Sequence, residues 1–155
     1  MLLTLLTVVT LGLVAHDAEA PPDCDAALTT IELNECAAMD VEAEEARMRT
    51  YLARAMEAVR EESDSPELGA SAAAQMAEAQ TAWEAYVEAE CGAVYTQWQG
   101  GTIRVLMALG CKRELTIERT RHLWKTFLSF PDSTDPLLPE PLPLRPDAAP
   151  EDAAD

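Results

Sequence analysis

Residues 37–62 contain neither glycine nor proline and are rich in Ala, Glu and Arg, so nothing in them interrupts a helix. Val41, Met48, Leu52, Met56 and Val59 recur near the helical period and predict one apolar stripe. The tetrapeptide Ser63-Asp64-Ser65-Pro66 ends this run and starts another: Ser65 suits an N-cap and Pro66 a first helical position. A second helix is predicted over 66–91, its stripe running Leu68, Ala72, Met76, Ala79, Trp83, Tyr86 and Glu90. So short a link makes the two helices antiparallel neighbours. Gly92 and then Gly100-Gly101 bracket an expected loop, and a third helical region follows over about 102–129. Its stripe is Leu115, Arg119, Leu123, Phe127 and Phe130, with a break expected at Gly110. A short helical turn is expected at about 25–34. The fold class is therefore all-α: a small disulfide-stapled helical domain over 21–130, built on an antiparallel pair of long helices plus a third helical region.

Both ends read differently. Residues 2–14, LLTLLTVVTLGLV, are too short an apolar block to span a bilayer, which takes about 20 residues. With Ala18-Glu19-Ala20 behind it, the block reads as a signal peptide over 1–20, which places the mature protein in the periplasm or outside the cell. Residues 131–155 hold seven Pro and seven Asp or Glu, which predicts a disordered acidic tail with nothing to dock except Leu137-Leu138.

The four cysteines, Cys24, Cys36, Cys91 and Cys111, form no C-x-x-C pair. An even count behind an export signal means two disulfides rather than a metal site. Four cysteines allow three pairings. Cys36 lies 28 residues before Asp64 and Cys91 lies 27 after it, so the two should sit level on the hairpin. That argument favours Cys36–Cys91 and leaves Cys24–Cys111.

Three blocks carry a family resemblance. The first is CDAALTTIELNEC, from Cys24 to Cys36. The second is AQTAWEAYVEAEC, with Trp83, Tyr86 and Cys91. The third holds Gly100-Gly101-Thr102, Cys111, Leu115-Thr116, Arg119 and Leu123. Together they resemble the secreted family named for the lysozyme inhibitor LprI. The resemblance implies a helical, disulfide-stapled envelope protein whose partner is a lysozyme-like enzyme.

No catalytic constellation accompanies it. His122 is the one histidine after the leader, and no nucleophile motif lies near it. Glu84 and Glu88 share a helix face but read as a solvated surface. No cofactor or metal is expected, and the chain is read as no enzyme. Trp83 and Tyr86 fall on the apolar stripe and are expected in the core. Arg119 interrupts its stripe and is expected to pair with Glu84 or Glu88. The partner-binding candidates are Tyr95, Trp98, Gly100, Gly101 and Thr102, in the expected loop over 92–104.

Charge sets the partner class. Eleven Lys plus Arg against 28 Asp plus Glu leave a net charge of −17, which excludes nucleic acid and favours a cationic protein. The expected function is a secreted or periplasmic non-catalytic binding protein, a lysozyme inhibitor acting by occlusion. The alternative is a structural or scaffolding module of the cell envelope.

Overall fold

The computed structural model describes residues 22–130, 132 and 135–142; the expected leader over 1–20 lies outside them. Among the described residues there are three helices and no strand: α1 (Thr30–Glu61), α2 (Pro66–Gln97) and α3 (Arg104–Phe127). At 32 residues each, α1 and α2 are about 48 Å long.

Local chemistry sets the helix starts. Thr29 caps α1 in a capping box: its hydroxyl accepts from the backbone N–H of Glu32, whose carboxylate accepts from the N–H of Thr29. The cap starts α1 earlier than the sequence suggested and absorbs the separate turn expected at 25–34. Ser65 caps α2 by accepting from the N–H of Leu68 at 3.3 Å, with Pro66 in the first turn. Gly92 lies inside α2 and Gly110 inside α3, so neither breaks its helix. One glycine in a helix costs only about 1 kcal/mol, which flanking helix formers outweigh.

Packing rotates the helices away from the expected stripes. On α2 the buried positions are Gly69, Ala73, Met76, Gln80, Val87 and Cys91. Leu68 and Tyr86 are instead 61% and 51% exposed, so Tyr86 is not a core residue. Trp83 is half-buried and packs against the core cluster. Close approach at the closed end of the hairpin explains the rotation. A Cβ on Gly69 would lie 2.8 Å from the Cα of Arg60, so only glycine admits this spacing. In so Ala-rich a helix, a seam of small residues outweighs the few large apolar ones.

The same holds on α1, where Met48, Tyr51, Ala55 and Ala58 form the core while Leu52, Met56 and Val59 flank it. On α3 the buried residues are Thr116, Thr120 and Leu123. Both threonines donate to carbonyls one turn back, Lys112 and Thr116, each at 2.8 Å, which satisfies hydroxyls that would otherwise be costly to bury. α3 packs more extensively on α1 than on α2.

The disulfides correct the expected pairing. They join Cys24 to Cys36 and Cys91 to Cys111, with Cα–Cα separations of 5.7 and 5.6 Å. Cys91 lies ten residues before Gly101 and Cys111 ten after it, so these two are level across the α2–α3 corner. Being level on the first hairpin therefore did not pair Cys36 with Cys91.

The expected disordered tail is also corrected where it is described. Leu137 and Leu138 pack against the core, and Pro141 is fully buried. The N–H of Leu137 donates to the Leu128 carbonyl at 2.8 Å, and the Trp124 indole N–H donates to the Leu138 carbonyl at 2.8 Å. Tyr51 donates its hydroxyl to the Pro139 carbonyl at 2.8 Å. Arg47 donates to the Leu142 carbonyl and to the buried carboxylate of Glu44. Proline's missing N–H stops helix and sheet, but it leaves carbonyls free to accept from side chains. Residues 137–142 thus form a strap across α1 and α3.

Candidate interaction surface at the disulfide end

The antiparallel hairpin brings the start of α1, the end of α2 and the start of α3 to one end of the bundle. Both disulfides lie near this end, and each fixes a segment that the helices alone would leave loose. Cys24–Cys36 ties the segment leading into α1 to the second turn of that helix. Cys91–Cys111 clamps the α2–α3 corner.

The corner is shorter than the expected 92–104 loop. α2 continues to Gln97, so Tyr95 sits on its last turn, and only residues 98–103 turn between the helices. Trp98 is the C-cap, its N–H donating to the carbonyl of Val94 at 3.2 Å. The N–H of Gly101 donates to the Trp98 carbonyl at 2.9 Å, which closes the turn. Gly100 and Thr102 lie exposed in the same turn. The Arg104 guanidinium stands 5.2 Å from the centre of the Tyr95 ring, a cation–π contact that joins α3 to α2. Tyr95, Trp98 and Ile103 remain 39–40% exposed. The structure thus brings all five candidates, Tyr95, Trp98, Gly100, Gly101 and Thr102, to one corner.

Sequence reasoning missed the other half of this end. Leu28 is 90% and Ile31 70% exposed, at the tip of α1. Leu28 and Leu33 occupy the positions of a hydrophobic staple, yet Leu28 stands in solvent. The Thr29-x-x-Glu32 box was the available signal: it sets the start of α1 and places Leu28 just outside it. Leu28 and Ile31 lie at the end of the bundle that also carries Tyr95 and Trp98.

The polar residues singled out from sequence lie elsewhere. Arg119 is half-buried on α3, and burial lowers its pKa. It reaches neither expected carboxylate directly. Its Nε donates to the Gln80 side-chain oxygen at 3.2 Å, and the Gln80 amide donates to Glu84 at 3.1 Å. Gln80 is thus the relay between α2 and α3. Glu88 pairs instead with Lys112 at 3.1 Å. Glu84 and Glu88 are both exposed, as expected of a solvated face, and His122 is exposed as well. Among the described residues no group of three or more His, Cys, Asp or Glu is placed to hold a metal ion.

Charge is segregated between the helices. α2 carries five acids, Glu67, Glu78, Glu84, Glu88 and Glu90, and no Lys or Arg. α3 carries six Lys or Arg against two Glu. One side of the bundle is thus strongly acidic, while the third helix is basic.

These features define a three-helix protein, stapled at one end by two disulfides that present an aromatic and aliphatic corner. The family model for the lysozyme inhibitor LprI matches residues 23–123. The chain belongs to the lysozyme inhibitor LprI family. It is also 34% identical over 113 residues to an uncharacterised protein of Rhizobium meliloti (strain 1021), spanning 70% of this chain and 81% of that protein. No solved structure matches it.

Proposed function

We propose that this protein is an exported, non-catalytic inhibitor that blocks a cationic lysozyme by occlusion. The observation that carries the reading is the exposed corner of Tyr95, Trp98 and Ile103, clamped by Cys91–Cys111 next to an α2 that bears only acidic charges. Aromatic anchors on a rigid turn lose little entropy on binding, and such residues dominate contact energy. The α2 carboxylates steer a basic enzyme towards that corner, whereas α3 repels it. Two disulfides suit an oxidising compartment outside the cytoplasm. No described helix is long and apolar enough to cross a membrane.

The test is a lysis assay with oxidised protein against a panel of basic lysozymes, at two ionic strengths. Inhibition that weakens as salt shortens the Debye length from about 10 Å at 0.1 M to 3 Å at 1 M supports the reading. An absence of inhibition across the panel would overturn it in favour of an envelope scaffold.

A further inference from the structure

The strap is held through its carbonyls. Residues 136–142, PLLPEPL, contain a P-x-x-P step, and Pro136, Pro139 and Pro141 each offer a carbonyl but no N–H. The groove between α1 and α3 answers with donors. The Trp124 indole gives its N–H to the Leu138 carbonyl and the Tyr51 hydroxyl bonds the Pro139 carbonyl, each at 2.8 Å, while the Arg47 guanidinium donates to the Leu142 carbonyl. Arg47 and Tyr51 stand one turn apart on α1, and Trp124 comes from α3. Pro141 is fully buried, whereas Glu140 is exposed and Leu142 is 67% exposed. Aromatic-lined grooves are the usual docks for P-x-x-P segments, whose restricted φ leaves little entropy to lose. Yet the strap is a modest occupant. Among the described residues one main-chain hydrogen bond ties it to the end of α3, from the N–H of Leu137 to Leu128. Leu137 and Leu138 are only half-buried. The Nε of Arg47 is buried without a hydrogen-bond partner among the described residues, so the strap leaves one donor of the groove unused.

We propose that the α1–α3 groove is a docking site for a proline-rich peptide of a partner protein, of the form Leu-Leu-Pro-x-Pro-Leu, and that residues 137–142 fill it in cis as a displaceable competitor. The strap already seated there defines the chemistry of the occupant: two aliphatic side chains, then prolines that place carbonyls before Trp124, Tyr51 and Arg47. The x position, Glu140 in the strap, is exposed and so admits any side chain. A net charge of −17 favours a basic one, which gives a foreign peptide an advantage over the strap. The same charge opposes a second copy of this chain as the source. The groove stands apart from the disulfide-end corner, because Tyr51 lies about 30 Å along α1 from Thr30. A peptide here therefore leaves the corner open to its own partner.

The test adds an end-blocked PLLPKPL peptide to the oxidised full chain and to its double variant Leu137→Asp and Leu138→Asp, which frees the groove while keeping all three donors. Fluorescence anisotropy reads binding, and the NMR signal of the Trp124 indole N–H reads its place. The released variant should bind at least about tenfold more tightly than the native chain, whose groove is filled. Its Trp124 signal should return towards the native position. Tyr51→Phe in the released variant should weaken binding about fivefold, the worth of one hydrogen bond. An absence of saturable binding, equal binding of a scrambled peptide, or a Trp124 signal that does not move would overturn the proposal. A second form keeps every strap residue: the native sequence cut at a protease site inserted between residues 132 and 135. Excess peptide should release the cut fragment on gel filtration, and a fragment that stays would equally count against the site. Native dimers that the peptide converts to monomers would assign the groove to the strap of a second copy and overturn the proposal as well.

Discussion

The indole N–H of Trp124 donates to the carbonyl of Leu138, which ties α3 to a proline-rich segment that follows it in the chain. Truncation after Phe130 should therefore destabilise the domain. Of the three side-chain hydrogen bonds to the strap, those of Trp124 and Tyr51 contribute about 1 kcal/mol each, and burial of Leu137 and Leu138 adds roughly 1 kcal/mol apiece for half-buried side chains. Urea denaturation should show a loss of about 3–4 kcal/mol. Truncation after Leu142 should leave most of that stability in place. If the shorter chain is as stable as the full one, the strap does not pack in solution.

Two glycines should respond with opposite signs. Gly69→Ala forces a methyl to within 2.8 Å of the Arg60 backbone and should cost about 1–3 kcal/mol by overpacking. Gly92→Ala meets nothing within 4 Å inside a helix and should stabilise by up to about 1 kcal/mol. Thermal melts of both variants check the pair.

Trp98 and Leu123 should separate contact surface from core. Trp98→Ala removes a side chain left 39% exposed, so lysozyme binding should weaken while melting changes little. Leu123→Ala removes a fully buried side chain and should cost about 2–5 kcal/mol. Unfolding caused by Trp98→Ala would mean that this ring supports the bundle rather than contacts a partner.

Each disulfide closes a short loop, with sequence separations of 12 and 20. The chain-entropy relation assigns either one about 3 kcal/mol. Replacing Cys91 and Cys111 together by Ser should lower stability by that order and loosen the corner around Trp98. Non-reducing peptide mapping should link Cys24 to Cys36, and a Cys36–Cys91 peptide would refute the architecture of this end.

The capping box of α1 should be sensitive to acid. The carboxyl of Glu32 is held below the usual carboxylate range, chiefly by the backbone N–H of Thr29, then by that of Leu28 and by the Thr29 hydroxyl. A lowered pKa in the folded state gives stabilisation that is present above the unfolded value and lost as pH falls through the folded one. The first turn of α1 should therefore fray as pH falls below the ordinary carboxylate range. Carbon-13 shifts of Thr30–Leu33 should follow that titration, and Glu32→Gln should abolish it.

Local chemistry was legible in the sequence at particular residues. The Gly- and Pro-free run after Cys36 and the Ser65-Pro66 start were enough for the antiparallel hairpin, because capping and φ restriction act within a few residues. An even cysteine count was enough for two disulfides. Tyr95, Trp98 and the Gly100-Gly101 turn could be placed together because a corner between two helices is itself local.

Tertiary structure alone decided the rest. An Ala-rich helix has no strong rotational preference, so whether Tyr86 or Val87 faced inward depended on how closely Gly69 lets α2 approach Arg60. Pairing of cysteines depended on which Cα atoms come within about 6 Å, which the α2–α3 corner sets by ending at residues 98–103. The strap was invisible for the same reason. Leu137, Leu138 and Pro141 show no helical or strand period, and their burial required a groove formed by residues 14 to 95 positions away in the chain, among them Trp124, Tyr51 and Arg47.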